Sequence, residues 1–268
     1  QFFALYANVD GFDFKEAATP LKDRLEIDRW ILSSLHTLIK KVNEAMDDYE
    51  PTQAGRLIEE FVDAHLSNWY VRLCRRRFWK GEYEQDKISA YQTLYECIET
   101  VLLLMAPVSP FFSDAIFSEL NKVSNRYKAD SIHHVDFPVA NDSIIDAALE
   151  ERMQLAQDAS SLVLSLRKKV NIKVRQPLQK VMIPVLSTTM KEQFEKVEDI
   201  IKSEVNVKQI EYIDPLNAFF QKELKPNFKA LGSRLGKKMQ AASQYLKALP
   251  SSDILAFEMS GYLPISFD

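Results

Sequence analysis

The chain has 268 residues, 46% of them apolar and 27% charged, with a formal net charge of −4. This is ordinary soluble composition for one large or two ordinary domains, and it excludes a disulfide scaffold, since Cys74 and Cys97 read as core thiols of a reducing compartment. It also excludes a membrane span, because the longest wholly apolar run, 101–108, is too short and contains Pro107.

The opening QFFALYANVDGF has no basic leader, so it does not read as a signal peptide, and its abrupt apolar start suggests a piece cut from a larger protein. Six glycines are few for a turn-rich α/β enzyme, which favours helices. From Leu25, the positions Ile27, Trp30, Ile31, Leu35, Leu38, Ile39, Val42 and Met46 follow a 3.6-residue period up to about Tyr49. Pro51 suits the first turn of a second helix, carrying Leu57, Ile58, Phe61, Val62, Leu66, Trp69 and Leu73. A third helix runs from about Asp86 to Met105, and Ser109-Pro110 reads as the N-cap and first residue of a fourth, PFFSDAIFSEL. Residues 121–141 are polar and aperiodic. A fifth helix is expected over about 143–169, on a stripe of Ile144, Ile145, Leu149, Met153, Ala156, Ser160, Val163 and Leu166.

Beyond Pro177 the period changes. KVMIPV (180–185) and VKQIEYI (207–213) read as strands around a helical segment, a helix entered through Gly232 follows, and SDILAFEM is a strand or a short helix. The predicted fold is mainly α, an antiparallel helix bundle over 1–177 followed by a small α/β unit over 178–268, cut short at its end.

Positive charge is concentrated. The windows 72–80, 164–180 and 222–238 hold 17 of the 34 Lys and Arg, leaving 17 bases against 37 acids elsewhere. Basic windows on an acidic body suit a polyphosphate partner. In the first window, the apolar stripe 58, 61, 62, 65, 69 continues onto Arg72, Arg76 and Trp79, so these cations either project beyond the bundle or pair with acids inside it. Arg72, Arg75 and Arg76, flanked by Trp69 and Trp79, are candidate phosphate contacts, because the planar guanidinium binds phosphate at two points; a cation-rich helix C-terminus explains them equally well. In the second window, Arg167, Lys168, Lys169, Lys173 and Arg175 have no acid nearby, and an extended 170–175 would point its cations to one side. The competing explanation there is a solvated hinge. In the third, Lys225, Lys229 and Arg234 stand with Gly232 and Gly236, which permit close backbone approach or simply serve turns.

No catalytic constellation is visible, and no phosphate loop, dinucleotide fingerprint, nucleophile elbow or zinc-protease motif occurs. None of His36, His65, His133 and His134 lies in a metal-ligand cluster, so no metal site is expected. The residues alone describe a binding unit.

LSNWYVRLCRRRFW (66–79) resembles the helix that follows the catalytic core in isoleucyl-tRNA synthetases of the eukaryote-like type. FFALYANVDGF (2–12), DRWILSSLHTLIKKV (28–42), MAPVSPFFSDAIFSEL (105–120), SIHHVDFP (131–138), LRKKVNIKVRQPLQKVMIP (166–184), IIKSEVNVKQIEYI (200–213) and LKPNFKALGSRLGKKM (224–239) resemble segments of the same family, so the resemblance spans nearly the whole chain. The chain departs from the family at Leu73 and Cys74, where small polar or basic residues are usual, and it lacks the HIGH-like and KMSKS-like signatures that hold ATP.

The resemblance implies a stem-contact and anticodon-binding fragment of a class I synthetase. Its implied partners are isoleucine tRNA and the catalytic and editing domains of the same cytoplasmic polypeptide, with no membrane. The parent enzyme would use ATP and Mg, whereas the fragment would hold no cofactor and be inactive alone. The alternatives are a valyl-tRNA synthetase fragment or a helical scaffold docking an acidic partner.

Overall fold

A computed structural model describes residues 1–80, 82–214 and 223–264. Among them the chain is mainly helical, with one two-stranded sheet. It divides into two compact units, residues 1–172 with 199–205, and residues 173–198 with 206–268.

The first unit is an antiparallel helix bundle. A short α1 (Phe2–Asp10), not anticipated from its sequence, ends on Gly11, whose φ of 71° lies in the left-handed region that favours glycine. The long α2 (Glu26–Asp47) buries Trp30, Ile31, Leu35, Leu38, Ile39 and Val42, the face its periodicity specified. A continuous helical rod follows: α3 (Pro51–Glu60), a π-helical segment (Phe61–Val71) and α4 (Arg72–Trp79). Next comes α5 (Gln85–Met105), the central helix, buried on nearly all sides, including Ser89, Gln92 and Thr93. Its polar groups are paired. Gln92 accepts from the Thr19 N–H at 2.8 Å and donates to the Ala17 carbonyl, while Lys87 and Tyr91 both donate to Asp10, at 3.0 and 2.6 Å.

The fourth expected helix, α6 (Pro110–Ser124), starts at its proline, but Ser109 makes no side-chain cap hydrogen bond. Its Phe117 packs with Leu102, Leu103, Ala106 and Ile132 in a satellite core. The exit helix α7 (Ala147–Lys169) begins later than expected, because Ile144 and Ile145 lie in turns and Asp146 is the N-cap, accepting from the Leu149 N–H at 3.0 Å.

In the second unit, β1 (Leu178–Pro184) pairs in parallel with β2 (Val207–Ile213), with Val181 opposite Ile210 and Ile183 opposite Tyr212. The helical segment between the strands is split into α8 (Thr188–Lys196) and α9 (Glu198–Val205), of which residues 199–205 belong to the first unit. Three helices follow: α10 (Phe228–Leu235), α11 (Met239–Ala248) and α12 (Ser251–Ser260), so SDILAFEM is helical. The entry to α10 is not Gly232, which sits within the helix. Asn227 caps it, accepting from the Ala230 N–H at 3.2 Å.

Candidate nucleic-acid interface

The π-helical segment decides which arginines reach solvent. Its wider turn slips the phase of the rod, so the buried positions run Ile58, Phe61, Leu66, Trp69, Tyr70, Cys74 and Phe78. A uniform 3.6-residue period would turn Arg72, Arg76 and Trp79 inward. Instead Arg72, Arg75, Arg76 and Trp79 are all exposed. The inward cation is Arg77, which the sequence did not single out. Its guanidinium donates to both oxygens of the fully buried Asp28 and to Asp86 at 2.8 Å. Burial works against its charge, but the hydrogen bonds and attraction of Asp28 hold its pKa above the ordinary arginine value. Burial also lifts the neighbouring Cys74 thiol to about 12, so this cysteine is an inert core thiol, and Cys97 is likewise free and buried.

The exposed arginines differ among themselves. Arg72 pairs with Glu204 at 2.6 Å, and its guanidinium stands 5.8 Å from the Trp69 ring. Burial raises the Glu204 pKa, and the charge of Arg72 opposes that rise. Among the described residues, no carboxylate lies within 4.0 Å of Arg75 or Arg76. Lys80 rides over the exposed Trp79 ring at 5.6 Å.

In the second window the structure separates what the sequence grouped. Arg167 is buried, 3% exposed, because it continues the inner stripe of α7 through Leu149, Met153, Ala156, Ser160 and Val163. Leu166, expected on that stripe, is exposed instead. Lys168 and Lys169 project from the last turn of α7, and Lys173 and Arg175 are exposed in the second unit. The expected extended run 170–175 is not formed. Asn171 takes a left-handed φ of 58°, and Lys173–Gln176 closes a turn in which the Gln176 N–H donates to the Lys173 carbonyl.

In the third window Lys225 and Lys229 are exposed, whereas the side chains of Arg234 and Lys237, and all of Lys222, lie outside the described residues. Gly236 has a φ of 48° where α10 gives way to a short 3-10 turn, so its backbone conformation accounts for that glycine.

One basic group escaped the sequence reading. Arg29 and Arg152, at 4.0 and 3.5 Å, share the single carboxylate of Glu26, and the three line one groove with Lys22. Acids interleave with these cations along the chain, so no window signals them. Among the described residues there is no group of three or more His, Cys, Asp or Glu placed to hold a metal, and no helix long and apolar enough to cross a membrane.

A family model described as the anticodon-binding domain of tRNA ligase matches residues 28–183. The isoleucine-tRNA ligase of Cytophaga hutchinsonii is 54% identical over 257 residues, covering 96% of this chain and 23% of that protein. The isoleucine-tRNA ligase of Bacteroides thetaiotaomicron is 52% identical over 267 residues, covering 100% of this chain and 23% of that protein, and the one from Clostridium novyi is 37% identical over 253 residues, 94% and 24%. The chain thus spans less than a quarter of the length of these relatives.

Proposed function

We propose, because the chain belongs to the family of anticodon-binding domains of tRNA ligases, that it is the tRNA-binding portion of an isoleucine-tRNA ligase. The observation that carries this reading is likeness along almost the whole chain to proteins of that name, at about half identity. It favours the isoleucyl reading over the valyl one and over a scaffold for an acidic protein.

In this reading residues 1–177 form the stem-contact and anticodon-binding bundle, and residues 178–268 form an α/β unit serving the anticodon loop. The full polypeptide would supply catalytic and editing domains, use ATP and Mg to join L-isoleucine to its tRNA with release of AMP and pyrophosphate, and work in the cytoplasm. This chain contributes no catalytic residue.

The mechanism is one of positioning. Arg75, Arg76, Lys168 and Lys169, exposed and without acidic partners among the described residues, supply phosphate contacts, with Arg72, Lys173, Arg175, Lys225 and Lys229 as further candidates. Arginine forks and lysine charges hold the backbone in register, and splayed bases supply identity. Binding energy far from the chemistry then orients the tRNA 3′ end for aminoacylation.

Filter binding with isoleucine tRNA tests the reading. Affinity should fall at least tenfold between about 50 and 200 mM salt, because phosphate contacts release counterions, and valine tRNA should compete poorly. Binding without a salt slope, or without preference for isoleucine tRNA, overturns it.

A further inference from the structure

Between the π-helical segment and α7 lies a groove of about 410 Å³, with the exposed Arg72 among its lining residues, and we propose that it holds one unstacked nucleobase of the bound RNA. The proposal rests on the tRNA-binding reading and adds to it a defined site for a single base.

Three independent features point to a ligand there. First, Trp69 on one wall and Ser160 on the other are each at least nine-tenths buried, yet Trp69 Nε1 and Ser160 Oγ have no hydrogen-bond partner in the protein. Buried indole N–H and hydroxyl groups are normally paired, so two orphans beside one cavity are unusual. Second, one wall is the π-helical segment itself, a conformation that is rare in proteins and concentrated at functional sites. Third, the lining suits a base. Asn68, Gln154 and Gln157 bring carboxamides whose nitrogens already contact Asp63 at 2.9 Å, Asp158 at 2.9 Å and His65 at 3.4 Å, and whose oxygens and second N–H groups remain for a base edge. Such groups match the edges of an unpaired base.

The volume suits a base with its ribose and is too small for a folded peptide. The mouth is also supplied with positive charge. Arg72, which pairs with Glu204, lines the groove, and Arg76, four residues further along α4 and without a carboxylate partner among the described residues, lies on the same side of the helix. A nucleotide whose base enters the groove would leave its phosphates beside these guanidinium groups.

The test uses the 268-residue chain and isoleucine tRNA carrying a single abasic position, moved one nucleotide at a time through the anticodon loop. Ser161 and Asn68 are exposed on the groove rim, so Ser161→Trp, which fills the groove, and Asn68→Ala should melt like the wild type. For the wild type, one abasic position should cost about tenfold in affinity, the scale of one lost base contact. Ser161→Trp should bind intact tRNA about tenfold more weakly and show no further loss at that position, with Asn68→Ala intermediate. If the wild type binds with its salt slope and both variants match it at every abasic position, the groove proposal is overturned while the tRNA reading stands. If the wild type does not bind isoleucine tRNA, the tRNA reading falls and the groove proposal falls with it.

Discussion

Arg77 grips Asp28 with two parallel hydrogen bonds, Nη1 to Oδ1 at 2.6 Å and Nη2 to Oδ2 at 2.8 Å, across 49 residues of chain. Asp28 also accepts from the hydroxyls of Tyr70 and Ser89, so one carboxylate joins α2, the π-helical segment, α4 and α5. Removing the guanidinium alone leaves a buried charge unmatched. Arg77→Met should therefore cost about 3–5 kcal/mol, and adding Asp28→Asn, which removes the charge but keeps an acceptor for Tyr70 and Ser89, should recover part of it. Arg75→Ala and Arg76→Ala should change stability by less than about 0.5 kcal/mol while weakening tRNA binding. Urea unfolding beside filter binding separates the two classes, and an Arg77→Met protein as stable as the wild type would refute the assignment.

That contrast bears on how far the fold and the interface are legible in the sequence. The face of α2 and the two strands follow from periodicity, because burial there tracks apolar side chains, whereas α5 also buries Ser89, Gln92 and Thr93, which no apolar period marks. The orientation of the arginines in α4 does not, because it depends on a π-helical slip that leaves no compositional mark, and a uniform period then turns Arg72 and Arg76 inward. Arg167 is the opposite case. Its spacing from Ser160 and Val163 already placed it on the inner stripe, but its charge argued for solvent. At α10 the deciding signal was the short side chain of Asn227 ahead of the helix rather than the glycine within it. The basic cluster of Lys22, Arg29 and Arg152 forms only when the short 3-10 turn Leu21–Asp23, α2 and α7 meet in space, which no single window can report.

Arg126 offers a second test of buried charge. Its Nη1 lies 2.6 Å from Glu99 Oε2, and its guanidinium sits 4.4 Å from the Phe14 ring centroid. Burial raises the Glu99 pKa, and Arg126 opposes the rise. Arg126→Leu should cost about 1–3 kcal/mol at neutral pH. With the cation gone, the folded-state pKa of Glu99 climbs further. A raised pKa gives stability that is present at low pH and lost as pH rises through it, so the defect should shrink on acidification. Urea midpoints at about pH 5 and 7 check this, and a defect that grows on acidification contradicts it.

Charge reversal at the end of α7 tests the second basic window. Lys168→Glu and Lys169→Glu should each weaken tRNA binding and lower the salt slope by about one, without loss of stability, since both side chains are exposed. Lys173→Glu tests the second unit in the same way. Arg167→Glu should destabilise the fold, because that position is buried. A set of reversals that leaves affinity and slope untouched would remove this window from the interface.

His65 and His36 both have pKa values below the ordinary 6.5, and burial is the leading cause for each, with Glu60 and Glu150 pulling His65 partly back. The His36 ring accepts the Asn141 N–H on Nδ1 at 3.1 Å, which requires that nitrogen to be unprotonated. The unfolded chain therefore takes up protons at these sites before the folded one does. Stability is level above the unfolded pKa and falls as pH drops below about 6.5 towards the folded values. Urea midpoints measured from about pH 8 to 5.5, where most carboxylates stay ionised, should decline on that schedule. His36→Asn, which keeps an acceptor, combined with His65→Gln should flatten the decline. An unchanged slope in the double variant would assign the pH response to other groups.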